Sequence, residues 1–224
     1  MKDMELNSCI INCAVGSWYL KGQNRLEKSL INHNSLWELL KWTKFPNKNY
    51  DERNNYNLKA SAFEEAINKG YKKILWLDSS IYAINNPQPI FDIIENEGFF
   101  SITNGYNAAQ ECSDKCLDYF NISRDDAENI PMCSSGIIGV NLQNEKANIF
   151  INNWIISAKN NVFDGSRFHD NQSQDSRFLH HRQDQSSASI LINTLKLKLY
   201  PINEMVTYNK EKNDKIIFII QGMV

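Results

Sequence analysis

Apolar runs and amphipathic stripes alternate along this chain, with polar stretches between them. Residues 8–15, SCIINCAV, are a short apolar run that stops at Gly16, and this pattern predicts a first strand. In GQNRLEKSLINH, residues 22–33, the spacing predicts a helix with Leu26, Leu30 and Ile31 on one face. Residues 44–57 are polar, carry Pro46 and read as a loop. LKASAFEEAINKGY then predicts a helix, with Leu58, Ala62, Ala66 and Ile67 in register and Gly70 suited to the left-handed position after its end. The continuous run KKILWLD, residues 72–78, suits a central strand covered on both faces.

Beyond it, NPQPIFDIIEN reads as a proline-opened helix and GFFSITN as a strand. CSSGIIGVNL, residues 133–142, reads as another strand, and NEKANIFINNWIISAKN as an amphipathic helix. Residues 160–182 are long, polar and irregular, a kind of segment that is usually functional or disordered. DQSSASILINTLKL predicts a helix with Asp184 at its N-cap, and KIIFIIQ a closing strand. Strand and helix alternate without a linker or repeat. The expected fold is therefore α/β, a three-layer α/β/α sandwich with a mostly parallel central sheet, in a single domain over residues 1–224.

Composition narrows the function. A chain of 224 residues with 42% hydrophobic and 22% charged content can bury a sizeable core. A net charge of -2 supplies no attraction to nucleic acid or to an anionic membrane. No run approaches the length of a membrane span, and MKDMELNSCIINCAVGSW lacks the apolar stretch of a signal peptide, so a cytoplasmic protein is expected. Five cysteines without a secretion signal are expected as free thiols. The pairs Cys9/Cys13 and Cys112/Cys116 fit buried small side chains better than a zinc site.

In open α/β sheets, ligands bind beyond the carboxyl ends of the strands, which makes 16–19, 78–80 and 134–136 candidates for one crevice. Here the order of the pieces resembles GT-A-fold glycosyltransferases. KKILWLDSSIYAINNPQPIFD is similar to their DxD segment, SSGIIGVNLQN to the NsGvmliNl segment of the family-8-like branch, and DQSSASILINTLKLKLYPINEMVTYN to its DQ segment. Together the matches cover about residues 58–209. The resemblance implies a glycosyltransferase that moves a sugar from a nucleoside diphosphate donor, a UDP-sugar favoured, to a hydroxyl of a glycan or similar acceptor. Small stand-alone domains of this type resemble those that build capsule, lipopolysaccharide or viral glycans, which would place the chain peripherally at a membrane where glycans are assembled.

Carried across, the resemblance puts Asp78 and Ser80 at the two DxD positions, with Ser79 between them, and Lys59 on the donor. The segment with Ser17, Trp18 and Tyr19 would wrap the nucleotide, Trp18 or Tyr19 stacking on its base, while Lys21 or Arg25 meets phosphate. Ser134, Ser135 and Gly136, with Asp175 and Arg182, would border sugar and acceptor. Asp184 and Gln185 would face the transferred sugar, with Asp184 the first candidate for a catalytic base ahead of Asp170 and Asp175. Arg167, Arg177 and Arg182 suit a phosphate-facing lid.

Two departures bear on metal. Serine replaces the second DxD acid, and the tail KIIFIIQGMV has no counterpart of the branch's HFxGxxKPW. Either Mn or Mg is held mainly through the donor diphosphate, with Asp78 and one of His169, His180 or His181 as protein ligands, His181 foremost, or Lys59, Arg25 and the 160–182 segment neutralise the diphosphate without metal. Retention or inversion stays open, as does homo-oligomer formation. Alternatives are an inactive sugar-nucleotide-binding module and, less favoured, a metal-dependent hydrolase around the histidine-rich segment.

Overall fold

The computed structural model describes residues 7–165, 173–208 and 214–222. Strand β1 (Ser8–Cys13) leads through helix α1 (Ser17–Asn32) to β2 (Glu38–Trp42), and α2 (Asn57–Asn68) precedes β3 (Lys73–Leu77). After β4 (Ile81–Ala83) come α3 (Gln88–Glu97), β5 (Phe99–Phe100) and β6 (Thr103–Asn107). Three short helices, α4 (Ala108–Glu111), α5 (Asp114–Tyr119) and α6 (Arg124–Ala127), lead to β7 (Pro131–Cys133) and β8 (Ile137–Asn141). Helices α7 (Glu145–Lys159) and α8 (Asp184–Leu195) follow, then β9 (Val206–Thr207) and β10 (Phe218–Ile220).

The central sheet has the order β2-β1-β3-β8-β5. β1 pairs in parallel with β2 and β3, whereas β8 lies antiparallel between β3 and β5. The sheet is thus mostly parallel with one reversed strand, and both of its faces are covered. Alternation along the strands explains how. Cys9, Ile11, Ile74, Trp76, Ile138 and Val140 point to one side, where α2, α7 and α8 bring Phe63, Trp154 and Ile190. Ile10, Leu75, Leu77 and Ile137 point to the other, against Leu26 and Leu30 of α1 and Ile90 and Ile94 of α3. This is the expected three-layer sandwich.

Several local expectations are corrected. ELLKW forms the edge strand β2, which was not anticipated because its side chains are only half-buried. GFFSITN divides into β5 and β6, and CSSGIIGVNL into β7 and β8, since Ser134–Gly136 turn the chain between two sheets. KIIFIIQ contributes only β10, which joins β4 and β9 in a small separate sheet. Ile31 is 69% exposed, so α1 buries Leu26 and Leu30 without it. Cys112 is the C-cap just past α4 while Cys116 lies in α5, so the two do not share a helix. All five thiols are free and buried, as expected, and burial pushes the Cys13 thiol up to about 12. Gly70 and Gly98 follow α2 and α3 at φ 95° and 85°, the left-handed geometry glycine adopts without Cβ strain.

Candidate functional site

At its carboxyl end, β3 delivers Asp78 into a turn closed by the Ile81 amide donating to the Asp78 carbonyl at 2.9 Å. Because β8 is antiparallel to β3, its amino end meets this same edge, and the Asp78 amide donates to the Gly136 carbonyl at 2.8 Å. The two-residue period places Trp76 and Asp78 on one face, where the indole Nε1–H donates to Asp78 Oδ1 at 2.7 Å. Space is tight at Gly136: a Cβ there would sit 3.3 Å from Asp78 Oδ2.

Lys59, in the first turn of α2, joins the segments. Its Nζ donates to the carbonyl and hydroxyl oxygens of Ser135, both at 3.0 Å, and lies 2.9 Å from Asp184 Oδ2 and 3.3 Å from Asp78 Oδ1. Burial works against the ammonium charge, but Asp184 and then Asp78 outweigh it and hold the lysine above its ordinary range. Asp184 is 2% exposed, and the contact to its Oδ2 is an ion pair without hydrogen-bond geometry. Instead of capping, Asp184 is the first residue of α8, and Gln183 is the N-cap. Gln183 reaches this corner at φ 45°, a value non-glycine residues rarely adopt, and Trp154 Nε1 donates to the Asp184 carbonyl at 2.9 Å. A carboxylate in a helix's first turn also meets the positive end of its dipole.

Two adjoining pockets share Tyr56, Lys59, Asp78 and Ser80. The smaller, about 340 Å³, runs from Asp78 past Trp76 and Leu58 to Val15 and Tyr19. The larger, about 580 Å³, extends past Ser134–Gly136 to Asp184, Gln185, His180 and Arg182. Most of the expected residues therefore converge, including Tyr19, Ser79 and Ser80. Ser79 is buried, its hydroxyl 3.3 Å from Asn12 Nδ2 in a network that Gln23 extends by donating to Asn12 Oδ1 at 2.8 Å.

Others are placed elsewhere. Trp18 is 54% exposed with Lys21 Nζ 5.7 Å from its ring centre; Ser17, exposed at the start of α1, joins these two outside both pocket linings. Arg25 donates to the carbonyls of Ser80 and Gly222 and packs on Tyr82, bracing the turn after Asp78. Burial lowers its pKa, a shift the Tyr82 hydroxyl opposes. Asp175 lines neither pocket, and hydrogen bonds from the Arg177 guanidinium and backbone hold its carboxyl well below the usual range. His181 is fully buried and lines neither pocket: its Nδ1 accepts from the Ser113 amide at 3.2 Å and lies 3.3 Å from the Ser186 hydroxyl. Burial lowers its pKa to about 4. Arg167, His169 and Asp170 lie outside the described residues.

The residues sequence reasoning missed are Asn55 and Tyr56 beside the smaller pocket, and Asn104, Tyr106, Glu111 and Tyr208 around the larger. Glu111 is the least foreseeable, because its partners lie 7, 69 and 74 residues away. No group of three His, Cys, Asp or Glu side chains able to hold a metal converges among the described residues. Oδ1 of Asp78 is taken by Trp76 and Lys59, which leaves Oδ2 as its ligand atom. These residues do not by themselves fit a protein-ligated ion.

The fold is like that of solved glycosyltransferases. A crystal structure of a glycosyltransferase involved in the glycosylation of the major capsid of PBCV-1 is 11% identical, with a TM-score of 0.54 over 96% of this chain and 94% of that one. The apo structure of the bifunctional glycosyltransferase WbbM is also 11% identical, with a TM-score of 0.52 over 92% of this chain and 41% of that one. At these identities the likeness defines the fold: mixed α/β with a mostly parallel central sheet, like GT-A glycosyltransferases. No protein-family model and no curated protein sequence matches the chain.

Proposed function

We propose that this chain is a single-domain glycosyltransferase that moves a sugar from a nucleoside diphosphate donor, a UDP-sugar favoured, to a hydroxyl of a glycan or similar acceptor. The observation that carries the reading is the meeting of two pockets at Asp78, Ser80 and Lys59 on the carboxyl edge of the sheet. The smaller pocket, with Trp76, Leu58, Val15 and Tyr19, suits a nucleoside. The donor diphosphate then lies across the 78–80 turn, and the sugar faces Asp184 and Gln185 in the larger pocket.

Lys59 holds Asp78 and Asp184 in fixed positions before substrate arrives. Their two carboxylates are placed to stabilise positive charge developing on the sugar ring as the bond to the diphosphate breaks. Trp76 fixes the rotation of the Asp78 carboxylate, so its Oδ2 is the atom turned toward ligand. Should Mn or Mg accompany the donor, it would be held by the diphosphate with Asp78 Oδ2 as its protein contact, and it would supply neutralising charge to the leaving group.

The test is a thermal-shift screen with UDP-, GDP-, CMP- and dTDP-sugars, each with and without Mn²⁺. A ligand that binds only the folded state raises its melting temperature. One donor class should shift the midpoint, and Asp78→Ala should abolish that shift. No shift with any donor would overturn the reading, whereas a shift without transfer to any acceptor would favour the inactive binding module.

A further inference from the structure

The larger pocket contains a buried anion that the reaction sketched above does not use. Glu111 ends α4 with its side chain 2% exposed and lines this pocket. Its carboxylate receives three bonds: Asn104 Nδ2 at 2.7 Å, Gln185 Nε2 at 3.0 Å and His180 Nε2 at 3.0 Å. Its carbonyl accepts from the Arg182 amide and the Ser186 hydroxyl, which fixes the backbone as well. Among the described residues, His180 is the only basic side chain within ion-pair distance of it.

A carboxylate only accepts, so each partner must present a donor to it. That requirement sets the tautomer of His180 and the orientation of the Gln185 amide together. His180 gives up Nε2–H, leaving Nδ1 as its acceptor atom, and Gln185 gives up its NH₂, leaving Oε1. The Asn104 Oδ1 is used by the Tyr106 amide at 2.9 Å. Together with Asp78 Oδ2, these atoms give the Glu111 side of the pocket a set of acceptors, alongside the donors that Arg182 and the lining hydroxyls supply.

Charge points the same way. The carboxylates of Asp78, Glu111 and Asp184 line the pocket against the two cations Lys59 and Arg182, and Lys59 is already bound to two of those carboxylates. The balance disfavours an anionic ligand at the Glu111 side, where His180 is the only basic side chain within ion-pair distance among the described residues, while a neutral ligand rich in hydroxyl donors would be matched. Two exposed rings flank the opening: Tyr106, 45% exposed and edge-on to His180 at 6.2 Å between centres, and Tyr208, 53% exposed. Flat aromatic faces beside hydroxyl-seeking acceptors suit the C–H face of a sugar ring.

We propose that the Glu111 side of the larger pocket, beside the part the transferred sugar takes at Asp184, is an acceptor subsite for a neutral sugar ring. In it Glu111 acts as a positioning residue that aims His180 Nδ1 and Gln185 Oε1 at the ring's hydroxyls. The inference rests on the glycosyltransferase reading for calling the ligand an acceptor, while the chemistry of the ligand follows from the pocket alone.

The experiment is a ligand-observed NMR titration of the whole chain with methyl glycosides of glucose, galactose, mannose and xylose. Methyl glucuronide and glucose 6-phosphate serve as the anionic counterparts, and UDP is titrated in parallel. At least one neutral glycoside should bind, and both anionic sugars should bind more weakly. Glu111→Gln, which forces a donor into the cluster, should weaken the neutral glycoside roughly ten-fold while leaving UDP binding unchanged. Tyr106→Ala removes only an exposed ring, so it keeps the test sound should the buried substitution unfold the chain, and it should weaken the same glycoside severalfold.

UDP binding combined with preference for the anionic sugars, or with neutral binding unaffected by either variant, would overturn the subsite and leave the proposed function standing. Neutral glycoside binding with no nucleotide binding would support the subsite and overturn the donor reading. Binding of neither class would overturn both.

Discussion

Two clusters in this molecule look alike on paper, each built from one basic side chain and several acids. Lys59 lies between Asp78 and Asp184, and Arg177 lies among Asp175, Asp125 and Glu128. Their surroundings differ. The Lys59 side chain is 10% exposed and that of Asp184 3%, whereas Asp125 is 89% exposed and Arg177 33%. In water the Arg177 contacts replace hydration of nearly equal worth, so each exposed pair adds only modestly. In the interior, removing one charge strands the others without solvent. The same residue types thus yield a buried, fixed cluster in one place and a surface latch in the other. Asp175, expected from sequence as a candidate base, belongs to the latch.

Breaking the buried cluster should have the largest effect. Lys59→Met should destabilise the chain by about 3 to 5 kcal/mol, since Asp184 is left buried without its counter-ion; urea denaturation measures this, and a loss below about 1 kcal/mol would mean that water reaches the cluster.

A comparable effect should appear with pH at His181. Its folded pKa, about 4, lies below the ordinary histidine value of about 6.5, so the unfolded chain takes up the proton first as pH falls. The stability associated with neutral His181 is present above about pH 6.5 and drains away between there and about pH 4, by on the order of 3 kcal/mol. His181→Gln should flatten the stability curve across that window, as read by denaturation at stepped pH. An unchanged slope would show that His181 is not buried neutral.

Asp78→Asn should separate function from stability. The side chain is one-third exposed, so the fold should survive with a modest loss, while transfer from the donor should fall at least roughly a hundred-fold if Asp78 stabilises the developing charge. Residual transfer near the wild-type rate would remove Asp78 from the mechanism.

The smallest change belongs to the surface latch. Arg177→Ala should leave the melting temperature within the scatter of ordinary exposed substitutions. Its visible signature should be electrostatic: the Asp175 carboxyl, followed by NMR, should titrate below the usual aspartate range in the parent chain and return toward it in the variant. Because its folded pKa is depressed, its contribution is present above the ordinary aspartate pKa and lost as pH falls further. A large loss of stability at neutral pH would show the two clusters to be more alike than their exposure implies.

Much of the fold was legible because burial writes a period into the sequence. The run 72–78 was continuous enough to announce a central strand, and it is fully buried as β3. The stripes in 58–71 and 144–160 matched α2 and α7 closely. Where the pattern failed, the cause was physical: β2 is an edge strand with half-buried side chains, and α4 to α6 are too short to establish a helical period. Asp184 was singled out through the resemblance, and only its N-cap reading failed: it is the first residue of its helix and its carboxylate pairs with Lys59.

By itself the sequence determined which segments could be strands or helices, that the two sheet faces would both be covered, and that Asp78 would end a buried strand. Those outcomes follow from side chains repeating every two or 3.6 residues, which is local information. Only the tertiary structure decided that β8 runs backwards to bring Ser135 beside Lys59, that Asp175 and His181 line neither pocket, and that Glu111 gathers Asn104, His180 and Gln185. Those contacts join residues up to 76 positions apart, and no local pattern encodes which distant donor will meet a buried acceptor.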